Sequence, residues 1–184
     1  IIEVSSFQLE LLNEVEFDIG LLLNIEEDHL DRHADIEDYR NVKKSVLKNA
    51  DINISYNDRN LFSKTFLNYK AITLPNGLAE SSTFNYWPNH DIENLKASVA
   101  VLEALIERFR KSSLGNINLF EELEKAFYQF KKFPHRFEHL EMVGGINFIN
   151  DSKATNLDAM LKAISAANAL ENIGDIYLIC GGDL

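Results

Sequence analysis

Phe17-Asp18-Ile19-Gly20-Leu21-Leu22-Leu23-Asn24-Ile25 is a near-continuous apolar run, and Glu26-Glu27-Asp28 ends it. Apolar residues at odd and even positions alike suit a strand covered on both faces, as in a parallel sheet. Asp35 to Asn49 then reads as a helix. Asp35 is a suitable N-cap, acidic residues occupy the first turn, lysines lie toward the end, and Ile36, Tyr39, Val42 and Val46 recur along one stripe. Strand, polar loop and helix make one βα unit, and loops at the carboxyl ends of such strands are where open α/β sheets bind ligands.

Working outward, Asp51 to Ser55 and Lys70 to Leu74 read as short strands flanking a helix around Leu61 to Leu67, with Pro75-Asn76-Gly77 as a turn. Asp91 to Phe109 is the longest helical pattern, with Ile92, Leu95, Val99, Leu102, Leu105 and Ile106 on one side, and Leu119 to Phe130 is a second amphipathic helix. Lys131-Lys132-Phe133-Pro134 marks a domain boundary, because proline blocks continuation of the helix before it. Beyond it, Met142 to Ile149, Asn156 to Leu170 and Asp175 to Cys180 read as strand, helix and strand, a Rossmann-like start. The fold class is α/β, with one domain over residues 1–133 and the beginning of another over 134–184.

At 184 residues, 46% hydrophobic and 26% charged, the chain has the apolar content for a substantial core. Its formal net charge of −11 argues against a nucleic-acid surface, which depends on clustered Lys and Arg. Anionic substrates would need locally placed cations or metal ions. No apolar run approaches the roughly 20 residues that span a bilayer, and Ile1-Ile2-Glu3 lacks the basic start of a secretory signal, so the cytoplasm is the expected compartment. Cys180, in the apolar run from Ile176, is expected to be buried packing rather than a nucleophile. The chain begins without Met in a strand-like run, Ile1 to Val4, and stops at Gly181-Gly182-Asp183-Leu184 after another, as expected of an internal piece of a longer protein.

Asn150-Asp151-Ser152-Lys153-Ala154-Thr155-Asn156 lies between an apolar run and an alanine-rich helical one. Carboxylate, ammonium, hydroxyls and free backbone N–H groups at a helix start suit a phosphate-bearing ligand. An ordinary polar loop with Asn156 as N-cap fits the pattern equally well. Together with Pro134-His135-Arg136-Phe137-Glu138, however, this NDSKATN segment resembles the signature of the D-glutamate-adding branch of the Mur ligase family.

Four further segments extend the resemblance. Glu3-Val4-Ser5-Ser6-Phe7-Gln8-Leu9 is similar to the family's ExSSFQL motif. On pattern alone Glu3 is either a polar residue at a sheet terminus or a carboxylate ligand for Mg²⁺, which prefers oxygen; the resemblance implies the ligand, with Ser5 and Ser6 toward the substrate. Asn24 to His33 resembles the N-I-x-x-D-H-L-D-R-H loop. A solvated acidic turn would read the same way, but the resemblance implies that His29 is a metal ligand with Asn24, Asp28 and Asp31 in support.

Tyr39-Arg40-Asn41-Val42-Lys43 resembles the Y-x-x-x-K segment, which implies that Lys43 is carbamylated and so turned into an oxygen ligand. Without the family, Lys43 reads as a surface lysine beside Lys44. His90-Asp91-Ile92-Glu93-Asn94 resembles the H-N-x-x-N segment that contacts the nucleotide; Asn94 matches, whereas Asp91 stands where Asn is usual and fits a helix cap. The same resemblance implies that Arg136 and Asp151 contact ATP, and that Lys153 and Thr155 face the phosphate and substrate.

The fold implied is the later part of a P-loop-type parallel-sheet ATP-binding domain followed by the start of a Rossmann-like C-terminal domain. The activity implied is ATP- and Mg²⁺-dependent joining of D-glutamate to UDP-N-acetylmuramoyl-L-alanine through an acyl phosphate, in a protein that is monomeric when full length. The P-loop is expected upstream of Ile1 and the rest of the amino-acid site beyond Leu184, so this polypeptide alone is expected to have no ligase activity. Two other readings stay open: another ATP-dependent amide ligase, from a different Mur branch or like folylpolyglutamate synthase, and a noncatalytic nucleotide-binding module.

Overall fold

The computed structural model describes residues 1–12, 14–26, 32–56, 65–74, 88–109, 118–170 and 174–181. Strands β1 (Phe17–Leu22), β2 (Ala50–Ser55) and β3 (Thr65–Asn68) form a parallel sheet in that order, with Ile19 opposite Ile52 and Ile52 opposite Thr65. Helix α2 (Ile36–Lys48) joins β1 to β2, and the Asp35 carboxylate accepts the Asp38 N–H at 2.8 Å as its cap. The βα unit is therefore present. Its strand ends at Leu22 rather than Ile25, because Leu22 pairs with Ser55, the last residue of β2.

Alternation along β1 sends successive residues to opposite faces. Ile19 and Leu21, with Ile52 and Ile54 of β2, pack against Ala97, Ala100 and Ala104 of α3 (Asn89–Arg108). Gly20 faces α2 instead, so closely that a Cβ there would lie 2.5 Å from the Val46 carbonyl oxygen and 2.8 Å from the Ala50 Cβ. Small residues on both sides thus bring a helix down onto each face of the sheet. Because both obstacles are fixed to backbone, Gly20→Ala is expected to destabilise the fold by about 1–3 kcal/mol. A lower urea midpoint at unchanged slope would register this; an unchanged midpoint would show that α2 can retreat.

The alanine face of α3 lies apart from the stripe expected from its larger residues. That stripe does a second job: Val99 is buried with Leu74 and with Phe127 of α4 (Leu119–Gln129), and Ile92, Leu95 and Leu123 pack around them. At the far end of α3, Arg108 pairs with Asp18 and, at 3.2 Å, with Asp51, near the starts of β1 and β2.

Several segments differ from the sequence reading. Ile1 to Val4 joins no ladder among the described residues; the first regular element is the single turn α1 (Ser6–Leu9), capped by Ser5. Thr65 to Leu67 belongs to β3 and not to a helix, because parallel pairing with Ile52 to Ser55 overrides a weak local preference, while residues 61–64 and the turn at 75–77 lie outside the described residues. Lys70 to Leu74 is not a strand either. Asn68 accepts the Lys70 N–H at 3.0 Å and starts a 3₁₀ turn, Tyr69–Ala71, that inserts Tyr69 into the core.

Met142 to Ile149 is broken into two arms. Gly144 and Gly145, at φ 59° and 82°, make a two-residue turn between Val143 and Ile146, and β4 (Glu138–His139) pairs antiparallel with β5 (Ile149–Asn150). Glycine permits the two left-handed residues that such a turn requires. Helix α5 (Leu157–Asn168) follows, its Asn156 cap accepting the Ala159 N–H at 2.9 Å. Asp175 to Cys180 finds no ladder partner among the described residues, so its side chains stay open and Cys180 is exposed rather than packed. Among the described residues no helix is long and apolar enough to cross a membrane.

Candidate active site

Beyond the carboxyl end of β1 lies an open cleft of about 330 Å³. Asn24, Glu26, Tyr39, Tyr69 and Asn94 line it from one side, and Arg136, Asp151, Lys153 and Lys162 from the other. A second hollow of about 280 Å³ adjoins it between the first turn of α3 and the later part of α5, with His90, Glu93 and Lys162 lining both.

The 135–153 wall is one knotted turn. His135 and Phe137 sit at φ 65° and 45°, and left-handed backbone at non-glycine residues costs about 1–3 kcal/mol each. Hydrogen bonds hold it there. The His135 N–H donates to the Glu138 carboxylate at 2.8 Å, the Phe137 N–H to Asp151 Oδ1 at 2.9 Å, and the Lys153 N–H to the His135 carbonyl at 3.1 Å. Asn150 Nδ2 lies 2.7 Å from His135 Nδ1. Phe137 is buried behind the turn, which leaves Arg136 between the two strained residues and exposed on the cleft.

On the opposite wall Pro88, not Asp91, occupies the cap of α3. Asp91 is in the first turn, and its carboxylate lies 2.6 Å from Lys132 Nζ and 3.6 Å from His90 Nε2. This pair ties the 131–134 segment to α3. The Tyr69 hydroxyl donates to the Leu23 carbonyl at 3.2 Å; burial first, then Glu93 and Tyr56, pushes its pKa up to about 12, so it remains a neutral donor. Lys162 stands between Asp158 at 2.5 Å and Glu26 at 3.7 Å. Burial alone would lower its pKa, but these carboxylates outweigh burial and raise it. His139, edge-on to Phe137, is lowered by burial and then by Lys132.

Of the residues expected from sequence, Asn94, Arg136, Asp151 and Lys153 come together on the cleft, and Asn24 joins them. Thr155 is exposed but is not on that lining, and Glu3 is exposed near α1. Ser5 caps α1: its hydroxyl accepts the Gln8 N–H at 3.3 Å, and its own N–H donates to Gln8 Oε1 at 2.8 Å. Ser6 is buried, with Oγ 2.9 Å from His33 Nε2. Lys43 is half-buried on α2, its Nζ 5.6 Å from the centre of the Tyr39 ring, and Tyr39 reaches the cleft. His29, Asp28 and Asp31 lie outside the described residues.

Among the described residues no three His, Cys, Asp or Glu side chains group as a metal cage. The oxygen donors of Asn24 and Glu26 on the cleft nonetheless fit a hard divalent cation such as Mg²⁺, which is commonly held by one or two carboxylates together with water and substrate phosphates.

Comparison with known proteins decides the lineage. The Mur ligase middle domain matches residues 1–102, more than half of the chain. The chain belongs to the Mur ligase family. Curated relatives extend the likeness along this Mur ligase chain. Proteins named UDP-N-acetylmuramoylalanine--D-glutamate ligase are 31% identical over 199 residues in Prochlorococcus marinus (strain MIT 9312), 32% over 187 in Francisella philomiragia and 31% over 201 in Haemophilus influenzae (strain PittEE). They cover 99%, 99% and 100% of this chain, which spans only 41%, 42% and 44% of their lengths.

Sequence reading missed Glu26, Tyr69 and Lys162 as members of this Mur ligase cleft. Lys162 did carry a signal, standing four residues after Asp158 and so on the same helical face at the start of α5. Nothing local marks Tyr69, which reaches the site only because its 3₁₀ turn docks against α3.

Proposed function

We propose that this chain is part of an ATP-dependent carboxylate–amine ligase that adds D-glutamate to UDP-N-acetylmuramoyl-L-alanine. The observation that carries the reading is the convergence of Arg136, Asp151 and Lys153, from the knotted turn, with Asn94 on one cleft. The names of the curated relatives support the same acceptor. Residues 1–133 are taken as the later part of an ATP-binding domain of P-loop type, and 134–184 as the start of a C-terminal Rossmann-like domain. The full-length protein is taken as a cytoplasmic monomer.

In the reaction, a carboxylate oxygen of the UDP-linked substrate attacks the γ-phosphorus of ATP, and ADP leaves as the acyl phosphate forms. The amine of D-glutamate then attacks the acyl carbon, loses a proton, and phosphate departs from the tetrahedral intermediate. The protein's task is to hold anions together while charge moves, and phosphoryl transfer is catalysed chiefly by positioning and by neutralising oxygens. Arg136 is suited to bidentate contact with phosphate oxygens. Asp151, fixed by the Phe137 N–H, is placed for ribose hydroxyls, and Asn94 for the base or ribose. Lys153 faces the transferred phosphoryl group, with Ser5 and Thr155 toward the substrate and Ser6 seated behind Ser5.

Mg²⁺, held by Glu3, His29 and a carbamylated Lys43, would supply charge neutralisation at the phosphate oxygens. The test is phosphate release by the full-length gene product with UDP-N-acetylmuramoyl-L-alanine, ATP and each of D-glutamate, meso-diaminopimelate, L-lysine and L-alanine. Turnover selective for D-glutamate is expected. Preference for another acceptor, or none for any, would overturn the assignment.

A further inference from the structure

His33 follows the proposed metal loop, yet it is buried, and so are the Ser6 hydroxyl and Tyr39 ring that it meets. Its ring stacks on Phe7 at 5.6 Å with 10° between planes, and meets Tyr39 at 5.1 Å. Two carboxylates face Nδ1, Asp38 at 3.4 Å and Glu10 at 3.8 Å, while Nε2 lies 2.9 Å from Ser6 Oγ. Carboxylates accept only, so Nδ1 presents its N–H toward them, and Nε2 pairs with the Ser6 hydroxyl. Asp38 is itself fixed, accepting the Ala34 N–H at 3.2 Å and donating its own N–H to Asp35.

The contacts form a continuous path. Ser6 opens α1, directly after Glu3 to Ser5; His33 joins Ser6 to Tyr39; and the Lys43 side chain lies over the Tyr39 ring, Nζ 5.6 Å from its centre. An imidazole with polar partners at both nitrogens and rings on two sides fixes the direction of each neighbour, which an apolar filler would not. We propose that His33 is a positioning residue that sets the Glu3–Ser6 segment and Lys43 in register with each other for the Mg²⁺-nucleotide. This rests on the function proposed above, since it assigns Glu3 and Lys43 to the metal. Groups that orient metal ligands from behind alter metal affinity about 10–100-fold when they are replaced.

The experiment uses the full-length gene product as wild type, His33→Phe, His33→Gln, Ser6→Ala and the Ser6→Ala/His33→Phe double variant. Calorimetric titration with ADP, with and without Mg²⁺, gives the magnesium-dependent gain in affinity independently of turnover; kinetics give the Mg²⁺ concentration for half-maximal rate and KM for D-glutamate. His33→Phe keeps the ring stack and loses the polar contacts at both nitrogens. It is expected to raise the half-maximal Mg²⁺ concentration about 10–100-fold and diminish the ADP gain, with KM for D-glutamate little changed. His33→Gln should recover part of the loss, and the double variant should be no worse than His33→Phe. A lowered melting temperature with unchanged magnesium dependence, or additive effects of the two single changes, would overturn the proposal. Should His33→Phe fail to fold, Ser6→Ala and His33→Gln decide it by the same readouts. Magnesium-dependent ADP binding absent from the wild type would remove the proposed function itself, and its presence there without change in the variants would remove only the role of His33.

Discussion

On the proposed function, replacing Lys153 by Met in the full-length gene product should lower kcat about 10²–10³-fold, the usual effect of removing one preorganised donor from a site of developing negative charge. Methionine preserves the length and apolar stem of the side chain while deleting its charge. Lys153 is exposed, and what anchors it to the knotted turn is its backbone N–H on the His135 carbonyl, so the turn itself should survive. On the proposed function the loss should fall on kcat more than on KM for ATP, because Arg136 and Asn94, the residues proposed for the nucleotide, stay on the cleft while the contact removed would strengthen only as the phosphoryl group moves. In a chain with a formal net charge of −11, cations on that cleft have few substitutes. Steady-state kinetics beside a thermal melt decide the matter: kcat within about threefold of wild type at an unchanged melting temperature would take Lys153 out of the chemistry.

The parts of the fold legible in the sequence were those whose cause is local. Asp35 as a cap, acids after it and apolar residues at helical spacing are complete within one segment, and α2 follows them, ending one residue early at Lys48 with Asn49 as its C-cap. β3 was misread because a strand owes its identity to a neighbour: Thr65 to Asn68 extends along β2, a partner ten residues upstream or more, while its own composition says little. The hairpin before α5 had a visible marker in Gly144-Gly145. It was lost because the apolar residues on either side join into one uninterrupted run when read for hydrophobicity alone.

The cleft divides in the same way. Arg136, Asp151 and Lys153 belong to two short motifs, and the structure joins them: the strained turn and the later loop are held as one unit by the Phe137–Asp151 and Lys153–His135 hydrogen bonds. Tyr69 arrives through packing of its 3₁₀ turn against α3, which no motif encodes, while Glu26 fills a variable position of its motif and Lys162 is marked only by its spacing from Asp158. Ser6 and His33 show the reverse limit. Ser6 reads as facing the substrate and His33 closes the polar loop after β1 with no role of its own, yet burial makes the pair an internal joint.

Lys43→Arg is expected to be as damaging as Lys153→Met, and for a different reason. A neutral lysine amine adds to CO₂ with loss of a proton and becomes a carbamate whose oxygens face a hard cation; guanidinium, with a pKa above about 12, stays charged and does not. Arginine keeps the positive charge of the parent side chain and stacks at least as well on the Tyr39 ring, 5.6 Å from the present ammonium. A lysine that served only as a surface cation would therefore tolerate the change. Loss of the ligand oxygens should instead cost several kcal/mol of charge stabilisation, about 10²–10³-fold in turnover at about 1.4 kcal/mol per tenfold. Labelled bicarbonate provides a second reading that needs no turnover: a ¹³C carbamate resonance should appear in the wild-type protein and vanish in Lys43→Arg, with melting temperatures alike. An arginine variant that turns over at the wild-type rate would show that Lys43 acts as a cation on α2, and the oxygen-ligand role would then have to pass to the carboxylates around the cleft, beginning with Glu26, which already faces it.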